Sequence, residues 1–201
     1  MKSKDITVLI DSGHGRDCPG KRSPDGVFRE WSWNKDVAEV VVSTLRGRGF
    51  DAALVNPEEN DITLTERVRR INSLIRGFYS DKHLCVSIHV NAAGNGKQWH
   101  NARGWEVLTY TSPYPNSVKL ANALYEAAKD MGFKTRPESP TQKYRKKNLA
   151  MCREPNCPAV LVENFFMDNR EDLDYLLSPL SIYECADVIV GGIIDYIQSL
   201  K

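Results

Sequence analysis

The chain has 201 residues, enough for one domain with a sizeable core. Hydrophobic residues make up 41% and charged residues 26%, which excludes an intrinsically disordered chain. A formal net charge of +1 excludes a global field that would draw in nucleic acid or an anionic membrane, and no stretch approaches the ~20 apolar residues of a membrane span.

The first five residues, Met1–Asp5, are charged and run straight into Ile6–Ile10. That apolar run is shorter than the ~7–15 residues of a signal-peptide core, so synthesis in the cytoplasm without a signal peptide is expected. Thr7–Asp11 reads as a buried strand ending in a Gly-His-Gly turn. Trp33, Val37, Val40, Val41 and Leu45 recur at helical spacing, and Gly47 and Gly49 end that helix. Ala52–Val55 is a short strand. Thr63 and Glu66 form a capping-box pattern ahead of Val68, Ile71, Leu74 and Ile75. Leu84–Val90 and Gly104–Tyr110 read as strands, and Ser112-Pro113 opens a third helix. Residues 134–147 are polar and basic and read as a loop, with Lys143, Arg145, Lys146 and Lys147 as a solvated cluster. Ala159–Glu163 is a further strand, and the chain from about Arg170 is helical.

This alternation predicts a single α/β domain over 1–201, with a mainly parallel sheet covered by helices on both faces. In such sheets the ligand crevice lies beyond the carboxyl ends of the strands. Five cysteines cannot all pair, which suits a reducing compartment. Cys152 and Cys157 lack a second pair to complete a zinc site.

Three strands end, or nearly end, in residues able to do chemistry: His14, His89 and Glu163. His14 stands between two glycines, which let the backbone turn sharply and leave room beside the imidazole. Glu30 opens the first long helix, where a carboxylate also suits the helix dipole, and taken alone that is the simpler reading. His89 alternates with Val86, Ile88 and Val90, sharing the opposite face with Ser87 and Asn91. Read alone, it is equally a hydrogen-bonded core histidine. Glu163 directly follows an apolar run, and a carboxylate there must be paired, protonated or functional. Catalytic zinc takes three N/O protein ligands with one position open. His14, Glu30 and His89 meet that requirement, and Glu163 is then the proton carrier.

With these residues the chain resembles the zinc-dependent N-acetylmuramoyl-L-alanine amidases of the Amidase_3 type. The matching segments are Asp11-Ser12-Gly13-His14-Gly15, Arg29-Glu30, Ser87–Ala92 and Pro158–Phe165. Weaker matches are Leu64-Thr65-Glu66-Arg67 and Gly104-Trp105-Glu106-Val107. The resemblance implies a twisted, mainly parallel sheet of about six strands, zinc on His14, Glu30 and His89, and Glu163 as the catalytic glutamate. It implies hydrolysis of the amide bond between N-acetylmuramic acid and L-alanine in bacterial peptidoglycan. The family pattern often carries glycine two residues past the final glutamate, where this chain has Phe165.

A different zinc hydrolase of the same fold, acting on another peptide or small amide, remains open. A non-catalytic peptidoglycan-binding module is disfavoured, because a binder has no need of Glu163. No wall-binding module or export signal is recognised. That pairing resembles a phage or prophage endolysin acting on the wall after release. A monomer is expected. Asn91, Trp99 and Arg103 are the candidates for substrate contact, with Arg103 gripping a stem carboxylate. The Arg16–Arg29 segment is the other place where the stem can be held.

Overall fold

Strict alternation along the strands sorts their side chains into two cores. The computed structural model describes residues 6–75 and 79–200. The charged segment 1–5, which precedes the apolar run Ile6–Ile10, lies outside the described residues. In chain order the elements are β1 (Thr7–Ser12), α1 (Glu30–Gly47), β2 (Asp51–Leu54), α2 (Leu64–Leu74), β3 (His83–Asn91) and β4 (Glu106–Thr109). There follow α3 (Pro115–Asp130), β5 (Arg145–Lys146), α4 (Ala150–Arg153), β6 (Ala159–Phe166), α5 (Arg170–Leu176) and α6 (Pro179–Ser199). The six strands form one sheet in the order β2-β1-β3-β6-β4-β5. Every neighbouring pair is parallel except β4 with β6. This is the expected mainly parallel α/β sheet.

Val8, Ile10, Val86, Ile88, Val160 and Val162 pack on one face with α1, α3 and α6. Leu9, Cys85 and Ala159 face the other way, beneath Val68 and Ile71 of α2 and Met151 of α4. The period of two thus places His89 and Glu163 on the α2/α4 side, at the carboxyl edge.

Several boundaries differ from expectation, each for a local reason. The third helix starts at Pro115, two residues after Pro113, because proline at the first helical position gives up an N–H that has no partner there anyway. Thr63 caps α2 by accepting from the Glu66 N–H at 3.2 Å, but the Glu66 carboxylate bonds Arg69 and Arg70 instead of completing the box. The C-terminal helical stretch is two helices bent by 88°, with Ser178 capping the second and Pro179 opening it. The basic segment is more ordered than a solvated loop. Arg145–Lys146 pair with β4, Arg145 reaches Glu106 and Glu138, and Lys143 reaches Glu126. Among the described residues no single helix is long and apolar enough to cross a membrane.

Candidate metal centre

β1 delivers Asp11 and Ser12 buried, then turns through Gly13, His14 and Gly15. His14 has φ +64°, a left-handed backbone that costs a non-glycine residue about 1 kcal/mol. Arg67 holds the turn. Its guanidinium donates to Asp11 at 2.7 Å, to the Ser12 carbonyl at 2.5 Å, to the His14 carbonyl at 3.1 Å and to Asp61 at 2.7 Å. Both glycines are required by close approach. A Cβ on Gly13 would overlap the His89 imidazole, and one on Gly15 would overlap the Asp61 backbone.

α1 opens on Glu30, whose side chain is 1% exposed. Its Oε1 accepts from the Val90 N–H at 3.1 Å and lies 3.2 Å from His89 Nδ1 and 3.4 Å from His14 Nε2. The two imidazoles meet edge to face, with centroids 4.9 Å apart. One ligand atom from each of His14, Glu30 and His89 lies within 4.8 Å of the others. Burial opposes ionisation of Glu30, but the hydrogen bonds from His14 and His89 outweigh it and hold the carboxyl well below its ordinary range. Burial likewise opposes charging of His89, and Glu30 outweighs it, raising that pKa. The helix-dipole reading of Glu30 is therefore incomplete, since its Oε1 faces two imidazoles. Its Oε2 is buried with no hydrogen-bond partner among the described residues. Two imidazole nitrogens and an ionised carboxylate with a spare oxygen are a donor set that fits zinc.

β6 sets Glu163 beside His89 in register, and β4 sets Glu106 beside Glu163 on its other flank. The three side chains form one row across the sheet. Burial pushes the Glu163 carboxyl up to about 7, against an opposing pull from His89, so it can exchange a proton near neutrality. Glu163 Oε2 is also buried without a partner among the described residues.

Between these pairs and the Asn91–Phe166 pair β3 advances two residues and β6 three, so β6 carries a bulge. Phe165 takes the strain at φ +68°, where the related pattern often has glycine. Its ring is held by Phe133 and Tyr175, with centroids at 5.0 and 4.8 Å. Next to it, Asn164 donates to the His89 carbonyl at 3.0 Å and accepts from the Trp105 indole at 2.9 Å. This fixes the height of His89.

The family model described as N-acetylmuramoyl-L-alanine amidase, of the Amidase_3 type, matches residues 8–195. The chain belongs to the N-acetylmuramoyl-L-alanine amidase family. It is similar to the endolysin of Bacillus phage SPP1, 26% identical over 199 residues, covering 96% of this chain and 67% of that protein. It is 30% identical over 192 residues to the uncharacterized protein YqiI of Bacillus subtilis strain 168, covering 94% and 84%. The N-acetylmuramoyl-L-alanine amidase structure from Clostridium difficile 630 shares the fold, with a TM-score of 0.85 at 24% identity over 98% of this chain and all of that one.

In this amidase-family member, His14, Glu30, His89 and Glu163 open into one cleft of about 500 Å³. Asn91 also lines it, but its side chain is engaged, donating to Glu106 at 2.9 Å and accepting from the Ala92 N–H at 2.9 Å. Trp99 and Arg103 are not brought to the cleft. Trp99 packs on the core with the Arg170 guanidinium 4.2 Å above its ring. Arg103 pairs with Glu171 and Asp172. Arg103, expected to grip a stem carboxylate, thus faces two carboxylates of α5.

Other residues of the site carry no local sequence signal. Glu106 is 2% exposed and is held by Arg136 and Arg145. Asp168 is fully buried and accepts from the Ala93 and Gly94 N–H groups at 3.1 and 2.9 Å, tying the cleft wall to the turn before α5. Gly104-Trp105-Glu106 and Thr65-Glu66-Arg67 were marked only by the weaker family match. Gly13→Ala should displace the His89 ring, and we expect metal affinity to fall about 10–100-fold, as when a ligand's support is lost. Chelator competition checks this, and an unchanged affinity contradicts the packing argument.

Proposed function

We propose that this chain hydrolyses the amide bond between N-acetylmuramic acid and L-alanine in peptidoglycan, with zinc held by His14, Glu30 and His89. The observation that carries the reading is the placement of three donor atoms within 4.8 Å of one another, with Glu163 in register beside His89. Bound there, zinc supplies Lewis acidity, acidifying water and polarising the scissile carbonyl. Glu30 stays ionised against its burial because two imidazoles face it. Gly13 leaves room for the His89 ring, and Asn164 fixes the His89 backbone. Glu163 takes a proton from the attacking water. As water oxygen bonds to the carbonyl carbon and the carbon–nitrogen bond breaks, the same carboxyl delivers that proton to the departing alanine nitrogen. A pKa of about 7 suits both transfers. The similarity to a phage endolysin supports the reading that the enzyme acts on the wall after release.

The test is digestion of purified muropeptides with mass detection. The expected products are a muramic acid with a free lactyl carboxyl and a stem peptide with a free alanine amine. A chelator should abolish them and added zinc should restore them. Cleavage inside the peptide, or binding without turnover, would overturn the proposal.

A further inference from the structure

Two loops rim the cleft, the Arg16–Arg29 connection and the segment after β3. They touch each other, since a Cβ on Gly96 would lie 3.2 Å from the Arg22 carbonyl. The acidic groups of the lining are Glu30 and Glu163, both assigned to metal and proton chemistry. The other charged residues there, apart from the two histidines, are cations: Lys21, Arg22 and Lys97. All three are exposed, and among the described residues none is in a salt bridge. On the far side of Glu163 the cations Arg136 and Arg145 are matched by Glu106.

The backbone at Lys21 adds an independent observation. Lys21 has φ +49°, one of three non-glycine residues in the left-handed region among the described residues, the others being His14 and Phe165 at the centre itself. Its carbonyl accepts from the Glu30 N–H at 3.0 Å, and Arg22 bridges to Arg29. A conformation costing about 1 kcal/mol is therefore held in place by a bond to a residue of the metal centre. It fixes where the Lys21 side chain leaves the backbone, at the cleft.

We propose that Lys21, with Arg22 and Lys97, forms an anion-binding rim that takes a carboxylate of the stem peptide. The inference rests on the amidase reading and specifies what that site recognises beyond the scissile bond. Stem peptides carry free carboxylates, and ammonium and guanidinium groups bind them through charge-assisted hydrogen bonds. Replacing the carboxylate by a carboxamide removes the charge and keeps the shape.

Calorimetry on the full chain, in the Glu163→Gln background to prevent turnover, tests the rim with two soluble muramoyl-peptide fragments. One has free stem carboxylates and the other has them as carboxamides. The parent should bind the carboxylate fragment about tenfold more tightly, as expected for a few partly exposed ion pairs. Lys21→Gln should reduce that preference to about twofold, Lys97→Gln should weaken it, and Lys21→Arg should retain it. The preference should shrink as salt is raised. A parent without preference, or a preference that survives Lys21→Gln and Lys97→Gln combined, overturns the rim. Absence of hydrolysis of either fragment by the native enzyme would overturn the amidase reading instead, and the binding difference would still be measurable.

Discussion

Replacing Glu163 with Gln should lower kcat on muropeptides by about 10²–10⁴-fold, the usual range for loss of a general acid/base. Gln keeps the size of the side chain and its place in the row with His89 and Glu106. What it loses is the ability to exchange a proton near pH 7. No neighbour replaces it. Glu106 is the adjacent carboxylate, but Asn91, Arg136 and Arg145 all bond to it and hold it in place. Steady-state kinetics check the prediction, with KM expected to move little because the substrate's other contacts are intact. A kcat within tenfold of the native enzyme would remove Glu163 from the chemistry.

His89→Ala should weaken zinc binding by more than about 100-fold, beyond the effect of losing a supporting residue, and abolish hydrolysis with it. The imidazole supplies one of three donor atoms and also faces Glu30 Oε1 at 3.2 Å. Without it, Glu30 keeps His14 and the Val90 N–H but remains buried, so its ionised form becomes harder to maintain. Competition with a chromophoric chelator measures the loss. Native affinity in the variant would show that His89 is a core histidine after all.

Much of the centre was legible because parallel sheets gather strand ends at one edge. A period of two put His89 opposite Val86, Ile88 and Val90, and an apolar run ended at Glu163; both patterns are local. Glu30 was legible as a helix start, but its aim at two imidazoles depends on where α1 packs. The substrate contacts were less legible for a related reason. Trp99 and Arg103 lie in a polar, glycine-bracketed stretch that reads as an overhanging loop. In the fold that stretch is stitched to the α5 region: Asp172 accepts from the Gly104 N–H at 2.7 Å and Asn169 donates to the His100 carbonyl at 2.9 Å. Partners some seventy positions away leave no trace in local spacing. The same holds for β5 and α4, whose two and four residues are too short to show a period.

Phe165 shows a departure from the family pattern absorbed by packing. Its left-handed backbone has the strain a glycine would avoid, and contacts with Phe133 and Tyr175 offset it. The bulge that follows the His89–Glu163 pair is therefore retained without glycine.

Under the proposed function, labour is divided: three residues hold zinc and Glu163 moves the proton. Elemental analysis of the purified Glu163→Gln protein beside the native chain tests it most directly. About one zinc per chain is expected in both, with hydrolysis lost only in the variant. Zinc lost from Glu163→Gln in proportion to its activity would make Glu163 a ligand and contradict the assignment.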